Sequence, residues 1–310
     1  MSLPPRFLTR RRFLTWMGGA ALFPLLAGQA ASSVPGAMLV RPIPSSGETI
    51  PVIGMGTWLT FDVGENTARR DDRTGVLRSF FEQGGRLVDS SPMYGSAEAV
   101  LGYGLRRMDS PPLFSATKVW TWGQRAGESE MERSRQLWGV ERFDLMQVHN
   151  LLDWEVHLPT LLDYKAAGRI RYLGVTTSHG RRHDALEAIM GEQPLDFVQF
   201  TYNMIDRQAE QRLLPLARER GIAVIINRPF QRGGLFRRVQ GKPLPGWAAE
   251  IGCEHWAQVF LKFIVSHPAV TCAIPATTRI EHMTQNMAAG RGEMPDEALR
   301  QRMLADFLAL

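Results

Sequence analysis

The stretch Asp144-Leu-Met-Gln-Val-His149, an amphipathic run over Leu158–Ala167, a glycine at 168, and then Arg171-Tyr-Leu-Gly-Val175 together decide the fold. A short apolar run bounded by turn residues predicts a buried strand. Apolar residues recurring every three or four positions predict a helix. Gly168 is a stop signal, because glycine accepts the left-handed conformation that closes a helix C-terminus. Strand, helix, stop and strand make one β/α/β unit, whose two strands run parallel.

The same unit repeats in both directions. Upstream lie strand candidates Val52-Ile53-Gly54, Arg86-Leu-Val-Asp89 and Leu113-Phe-Ser-Ala-Thr-Lys118. Downstream lie Asp196-Phe-Val-Gln199, Ala223-Val-Ile-Ile-Asn227 and Val270-Thr-Cys-Ala-Ile274. Helical patterns separate them at Thr67–Gln83, Ser96–Met108, Glu128–Trp138, Arg181–Met190, Glu210–Arg220, Ala248–Ser266 and Ile280–Met287. A terminal helix is expected near Asp296–Leu310, and Gly84, Gly139, Gly191 and Gly221 are further stops. Eight such units without a linker predict an α/β fold, a single (β/α)8 TIM barrel over residues 40–310. A doubly wound sheet would carry Gly-x-Gly-x-x-Gly at an early strand-to-helix turn. Here Gly102-Tyr-Gly104 falls within a helical pattern, and Gly54-Met-Gly56 lacks the third glycine.

Composition agrees with a globular chain: 44% hydrophobic, 22% charged and 9% aromatic residues over 310 positions. The net charge of +5 is local. Arg6, Arg10, Arg11 and Arg12 are the only charged residues of the first thirty, and removing these four from 36 leaves 32 basic against 31 acidic groups. A nucleic-acid footprint has no support in so even a balance. Residues 1–31 instead resemble a twin-arginine (Tat) export signal, with Thr9-Arg-Arg-Arg-Phe-Leu14, an apolar run to Ala27 and small residues at Gly28, Ala30 and Ala31. That run is shorter than the ~20 residues of a spanning helix. The expectation is a periplasmic protein that meets the Tat machinery and holds no stable membrane span. Cys253 and Cys272 lack metal-ligand spacing, and His179 and His183 have no carboxylate support, so no metal is expected.

In such barrels chemistry gathers at the C-terminal ends of the strands. Asp89, Lys118 and His149 end three consecutive strands, and Tyr94 follows Asp89 by five residues. A tyrosine hydroxyl, with a pKa of ~10, is a weak acid unless a cation stabilises its phenolate. Lys118 can be that cation, Asp89 can hold Lys118, and His149 can orient a carbonyl oxygen. Tyr94 then acts as general acid, with Lys118 expected to lower its pKa.

The chain resembles the aldo-keto reductase family over about residues 40–290. The motifs that carry the resemblance are Ile50-Pro-Val-Ile-Gly-Met-Gly-Thr-Trp58, Val88-Asp-Ser-Ser-Pro-Met-Tyr-Gly95, Ser115-Ala-Thr-Lys-Val-Trp120 and Asp144–His149. The resemblance implies hydride transfer between a nicotinamide cofactor and a small-molecule aldehyde or ketone, with Asp89, Tyr94, Lys118 and His149 as the catalytic tetrad. It implies cofactor contacts at Gly56, Thr57 and Trp58, at Thr176, Thr177 and Gln199, at Asn227 and Arg228, and at Thr277, Arg279 and Asn286. Trp58 and Trp120 are expected as aromatic walls of the substrate pocket.

Several cofactor positions depart from the family pattern. Thr177 stands where Asn is usual, and Asn227 replaces a Tyr that stacks on the nicotinamide. In Ala276–Asn286, Arg279 is the one Arg or Lys that could pair with a 2′-phosphate. NADP is therefore expected, with NAD left open. The alternative is a non-turnover nicotinamide-nucleotide-binding protein that responds to redox state. A retaining glycosidase fits poorly, because Asp89 is the one strand-end carboxylate available where two are needed.

Overall fold

The computed structural model describes residues 36–310. The expected export signal at residues 1–31 lies outside the described residues. Eight parallel strands follow one another in chain order: β3 (Met55–Gly56), β4 (Leu87–Asp89), β5 (Phe114–Val119), β6 (Phe143–Val148), β7 (Ile170–Thr176), β8 (Phe197–Thr201), β9 (Ala223–Asn227) and β10 (Cys272–Ala273). The ring closes between first and last: Ile53 bridges Ala273 in parallel, and the Gly54 amide donates to the Ala273 carbonyl at 2.8 Å. The fold is the expected (β/α)8 barrel.

An antiparallel hairpin, β1 (Val40–Pro42) and β2 (Thr49–Pro51), precedes the barrel. Three-residue strands ending in proline carry too little pattern to be expected from sequence. Ile43 and Ile50 of this hairpin join Leu87, Phe114, Leu145, Tyr172, Phe197 and Ile225 in the barrel interior. Glu48 pairs with Arg86 and Arg171 at the N-terminal ends of their strands. The hairpin therefore plugs the end of the barrel opposite the strand termini where the candidate site residues are expected.

The helices are α1 (Thr67–Glu82), α2 (Ala97–Leu105), α3 (Gln124–Trp138), α4 (Trp154–Ala166), α5 (His183–Glu192) and α6 (Leu213–Arg220). They continue as α7 (Gly234–Arg238), α8 (Trp256–Val265), α9 (Ile280–Ala288) and α10 (Glu297–Leu308). Gly84, Gly139, Gly168 and Gly221 follow helix ends with positive φ, as expected of stops. Gly191 does not: it lies within α5, which runs on to Glu192. The expected helix Ala248–Ser266 is also too long. Gly252 turns at φ 65°, and a capping box between His255 and Gln258 starts α8 only at Trp256. Gly102 sits inside α2, where a Cβ would come within 1.8 Å of the Leu137 carbonyl oxygen on α3. That glycine permits close packing of α2 against α3.

Candidate active site

Side chains alternate across a strand with period two, so one face of each barrel strand points inward. Along β4 to β6 and β8 to β9 that inward series passes from apolar to polar: Leu87 to Asp89, Phe114 and Ala116 to Lys118, Leu145 to Gln147, Phe197 to Gln199, and Ala223 and Ile225 to Asn227. The apolar members fill the barrel. The polar members meet at its C-terminal mouth, beneath a cavity of about 500 Å3.

Lys118 is fully buried and donates from Nζ to Asp89 Oδ2 at 2.5 Å and to the Ser90 carbonyl at 2.7 Å. The other carboxylate oxygen of Asp89, Oδ1, accepts Nε2 of Gln147 and Nε2 of Gln199, each at 3.0 Å. Burial pulls the Lys118 ammonium toward deprotonation, but Asp89 and Tyr94 outweigh it and hold its pKa above the ordinary value. Tyr94 rides on the short 3-10 turn Pro92–Tyr94 that follows β4, and Lys118 Nζ lies 5.1 Å from its ring centroid. Burial raises the Tyr94 pKa, the Lys118 cation pulls it down, and Asp89 adds to the rise. The expected lowering by Lys118 is thus present as a pull, but burial wins and the phenol stays above its ordinary value. His149 starts the turn after β6, with its ring edge-on to Tyr94 at 5.6 Å between centroids. Burial, then Lys118, hold its pKa well below the usual histidine value, so the ring is neutral at pH 7.

The side of the mouth where cofactor contacts are expected is polar and hydrogen-bonded. Thr176 Oγ1 accepts the Asn150 amide at 3.0 Å, whereas the buried hydroxyl of Thr177 has no partner among the described residues. Asn227 Nδ2 donates to the Thr177 carbonyl at 2.9 Å and to Gln199 Oε1 at 3.3 Å, and Asn227 Oδ1 accepts Thr201 Oγ1 at 2.7 Å. Arg228 donates to His179 Nε2 at 2.6 Å, and its Nε has no partner among the described residues. Arg232 lies over the Trp58 ring at 4.6 Å. The chain that builds this barrel mouth, with its phenol above a buried lysine–aspartate pair, is matched over residues 52–302 by the model of the Aldo/keto reductase family.

The chain belongs to the aldo/keto reductase family.

It is 29% identical over 261 residues to Methylglyoxal reductase YeaE of Escherichia coli, spanning 81% of this chain and 89% of that protein. It is 25% identical over 244 residues to an NADH-specific methylglyoxal reductase of the same organism, spanning 67% and 72%. Among solved structures, an aldo-keto reductase from Klebsiella pneumoniae in complex with NADPH shares the fold with a TM-score of 0.74. It is 23% identical and aligns over 87% of this chain and 96% of that one.

In this chain, Gly56, Thr57, Trp58, Asp89, Tyr94, His149, Thr176, Thr177, Gln199, Asn227 and Arg228 all border one cavity, and Lys118 lies under it, bonded to Asp89. Thr277, Arg279 and Asn286 do not border it; they sit beyond β10, around the start and body of α9. Arg279 is exposed and pairs with Glu281 at 2.6 Å. Trp58 is a cavity wall, but Trp120 is 41% exposed, outside the lining and 6.4 Å from the His149 ring. Among the described residues, no group of three His, Cys, Asp or Glu side chains could hold a metal.

Two residues beside the tetrad went unremarked in the sequence. Gln147 left a signal, a polar residue where the inward register of the strand follows Leu145. Ser91 left none: its hydroxyl meets His149 Nδ1 at 2.8 Å, a contact that only folding creates.

Proposed function

We propose that this chain is an NADP(H)-dependent carbonyl reductase that acts on a small aldehyde or ketone, with Tyr94 as the general acid. The observation that carries the reading is the fully buried Lys118–Asp89 pair beneath Tyr94. Burying two charges costs several kcal/mol per ion before they attract each other. Simple nucleotide holding has no use for that arrangement, whereas a proton donor to an oxygen gaining charge does. The names of the two methylglyoxal reductases support a small carbonyl substrate.

The residues present fit a nicotinamide nucleotide. The unpartnered Thr177 hydroxyl and the Gln199 amide offer hydrogen bonds to a carboxamide, and Arg228 and Arg232 bring positive charge to the cavity for phosphate. Asn227, tied to Thr177, Gln199 and Thr201, replaces ring stacking with a polar floor. The bound nicotinamide supplies the hydride. Tyr94 supplies the proton to the carbonyl oxygen, Lys118 stabilises the phenolate left behind, Asp89 holds Lys118 in place, and His149 orients the oxygen. Arg279 beside α9 is assigned to the 2′-phosphate, which favours NADP; the NADH-specific relative makes both nucleotides necessary in the assay. Nicotinamide absorbance, followed with methylglyoxal and larger aldehydes, tests the reading. Oxidation of NADPH upon aldehyde addition is expected, and none with either nucleotide would overturn it.

Export through the Tat route to the periplasm is proposed from the Thr9–Leu14 motif alone. A barrel closes only when first and last strands meet, so a cofactor site reaching from Gly56 to Arg228 exists only after folding, and a route that carries folded cargo suits it.

A further inference from the structure

The hydroxyl of Ser91 has two neighbours of different kinds. Its oxygen accepts the Met93 amide at 3.2 Å, which caps the 3-10 turn Pro92–Tyr94. It also lies 2.8 Å from Nδ1 of His149, in a buried contact. Among the described residues no other acceptor stands within reach of the hydroxyl proton. A hydroxyl that already accepts an amide proton, and has a ring nitrogen as its one acceptor, donates to that nitrogen. Nδ1 is then the acceptor, and the ring proton resides on Nε2.

Resting on the carbonyl-reductase reading, we infer that Ser91 is a positioning residue that fixes His149 as the Nε2–H tautomer, turning its free N–H toward the substrate oxygen. Three features of the site support this. His149 borders the cavity, and its Nε2 makes no hydrogen bond among the described residues. A ring that stays neutral can donate from only one nitrogen, so the choice of tautomer decides whether it helps or repels a carbonyl oxygen. The same hydroxyl caps the turn that bears Tyr94, so one side chain ties together both groups proposed to face that oxygen. The second nitrogen of the ring is thereby committed in advance of binding, and no reorientation is needed when substrate arrives.

Long-range proton–nitrogen correlation spectra of the whole protein with isotope-labelled histidine rings distinguish the tautomers directly. A His149→Gln variant identifies the His149 signals among those of the seven histidines. The wild-type protein is expected to show His149 with its proton on Nε2 alone, and Ser91→Ala to show both tautomers. A proton on Nδ1 in the wild type, or an unchanged single tautomer in Ser91→Ala, overturns the inference. In turnover, Ser91→Ala is expected to lower kcat/KM by roughly 3- to 10-fold, the value of one net hydrogen bond, with cofactor Kd unchanged. Ser91→Thr, which keeps the hydroxyl, is expected to restore most of it. Loss of the turn cap alone would lower kcat/KM without mixing the tautomers, and that outcome also counts against Ser91 as the tautomer-setting group. Should the wild type reduce no carbonyl, the functional reading falls while the spectra still decide the role of Ser91.

Discussion

At Tyr94, burial and charge pull in opposite directions. Burial favours the neutral phenol, and the Lys118 ammonium favours the phenolate. The group therefore waits protonated and gains from Lys118 only as the proton leaves. Tyr94→Phe is expected to cut turnover on the order of 100-fold or more while the Kd for NADPH, read by fluorescence quenching, stays near the parent value. Parent-rate reduction by that variant would remove Tyr94 from its proposed role. Arg279 poses the matching question on the cofactor side. Its exposed pair with Glu281 adds little stability, which leaves the guanidinium free to exchange partners. Arg279→Ala is expected to weaken NADPH by about 1.5–3 kcal/mol and to leave NADH unchanged in parallel titrations. Equal losses for both would place the 2′-phosphate elsewhere.

Elements are held around the site by polar clips that the strand and helix patterns conceal. Glu98 of α2 is buried and accepts Thr117 Oγ1 of β5 at 2.6 Å and, from α3, Ser134 Oγ at 2.8 Å and Trp138 Nε1 at 3.1 Å. One carboxyl thus joins two helices to the strand whose next residue is Lys118. Glu98→Ala is expected to cost about 3 kcal/mol or more in urea unfolding, because three buried donors lose their acceptor at about 1–3 kcal/mol each. A change under 1 kcal/mol would show that water or repacking replaces it. The element boundaries were legible wherever glycine closes a helix, as at Gly84, Gly139, Gly168 and Gly221. They were misread at Gly191 and before α8. Gly191 has open space around it and a conformation that lets α5 pass through, and the apolar run before Trp256 is divided by a turn that hydropathy does not register.

At the scale of the whole molecule, buried and half-buried histidines among the described residues contribute to the response to acid. His267 is held down to about 4 by burial and then by Arg300. His149 and His183 are lowered as well, chiefly by burial. The unfolded chain therefore binds more protons than the folded one below the usual histidine pKa of ~6.5. This stabilising contribution is complete above that pH and is lost as the pH falls toward 4. Melting temperature is expected to drop across that window. His267→Asn, which can still accept the Ala269 amide held at 3.2 Å by the wild-type ring, is expected to flatten the slope. An unchanged slope in the variant would assign the acid response to other groups. The export proposal belongs to the same scale: replacing Arg10, Arg11 and Arg12 with Lys should abolish delivery to the periplasm in cell fractionation, and undiminished delivery would rule out the Tat route.

The sequence by itself determined the barrel, the strand ends that carry Asp89, Lys118 and His149, and Tyr94 beside them. Each depends on a local rule: period two along a strand, period 3.6 along a helix, and glycine at the closures. The tertiary structure alone decided that Gln147 and Gln199 meet on one oxygen of Asp89, that Asn227 bonds Thr177, Gln199 and Thr201, and that Ser91 reaches His149. Local periodicity fixes which face a side chain occupies, but its atomic partner depends on the register between strands and on where the ring closes. Ser91 and His149 lie 58 residues apart, and Asp89 and Gln199 lie 110 apart. Contacts of that range form only when eight strands share one curvature, so no segment short enough to read as a pattern contains them.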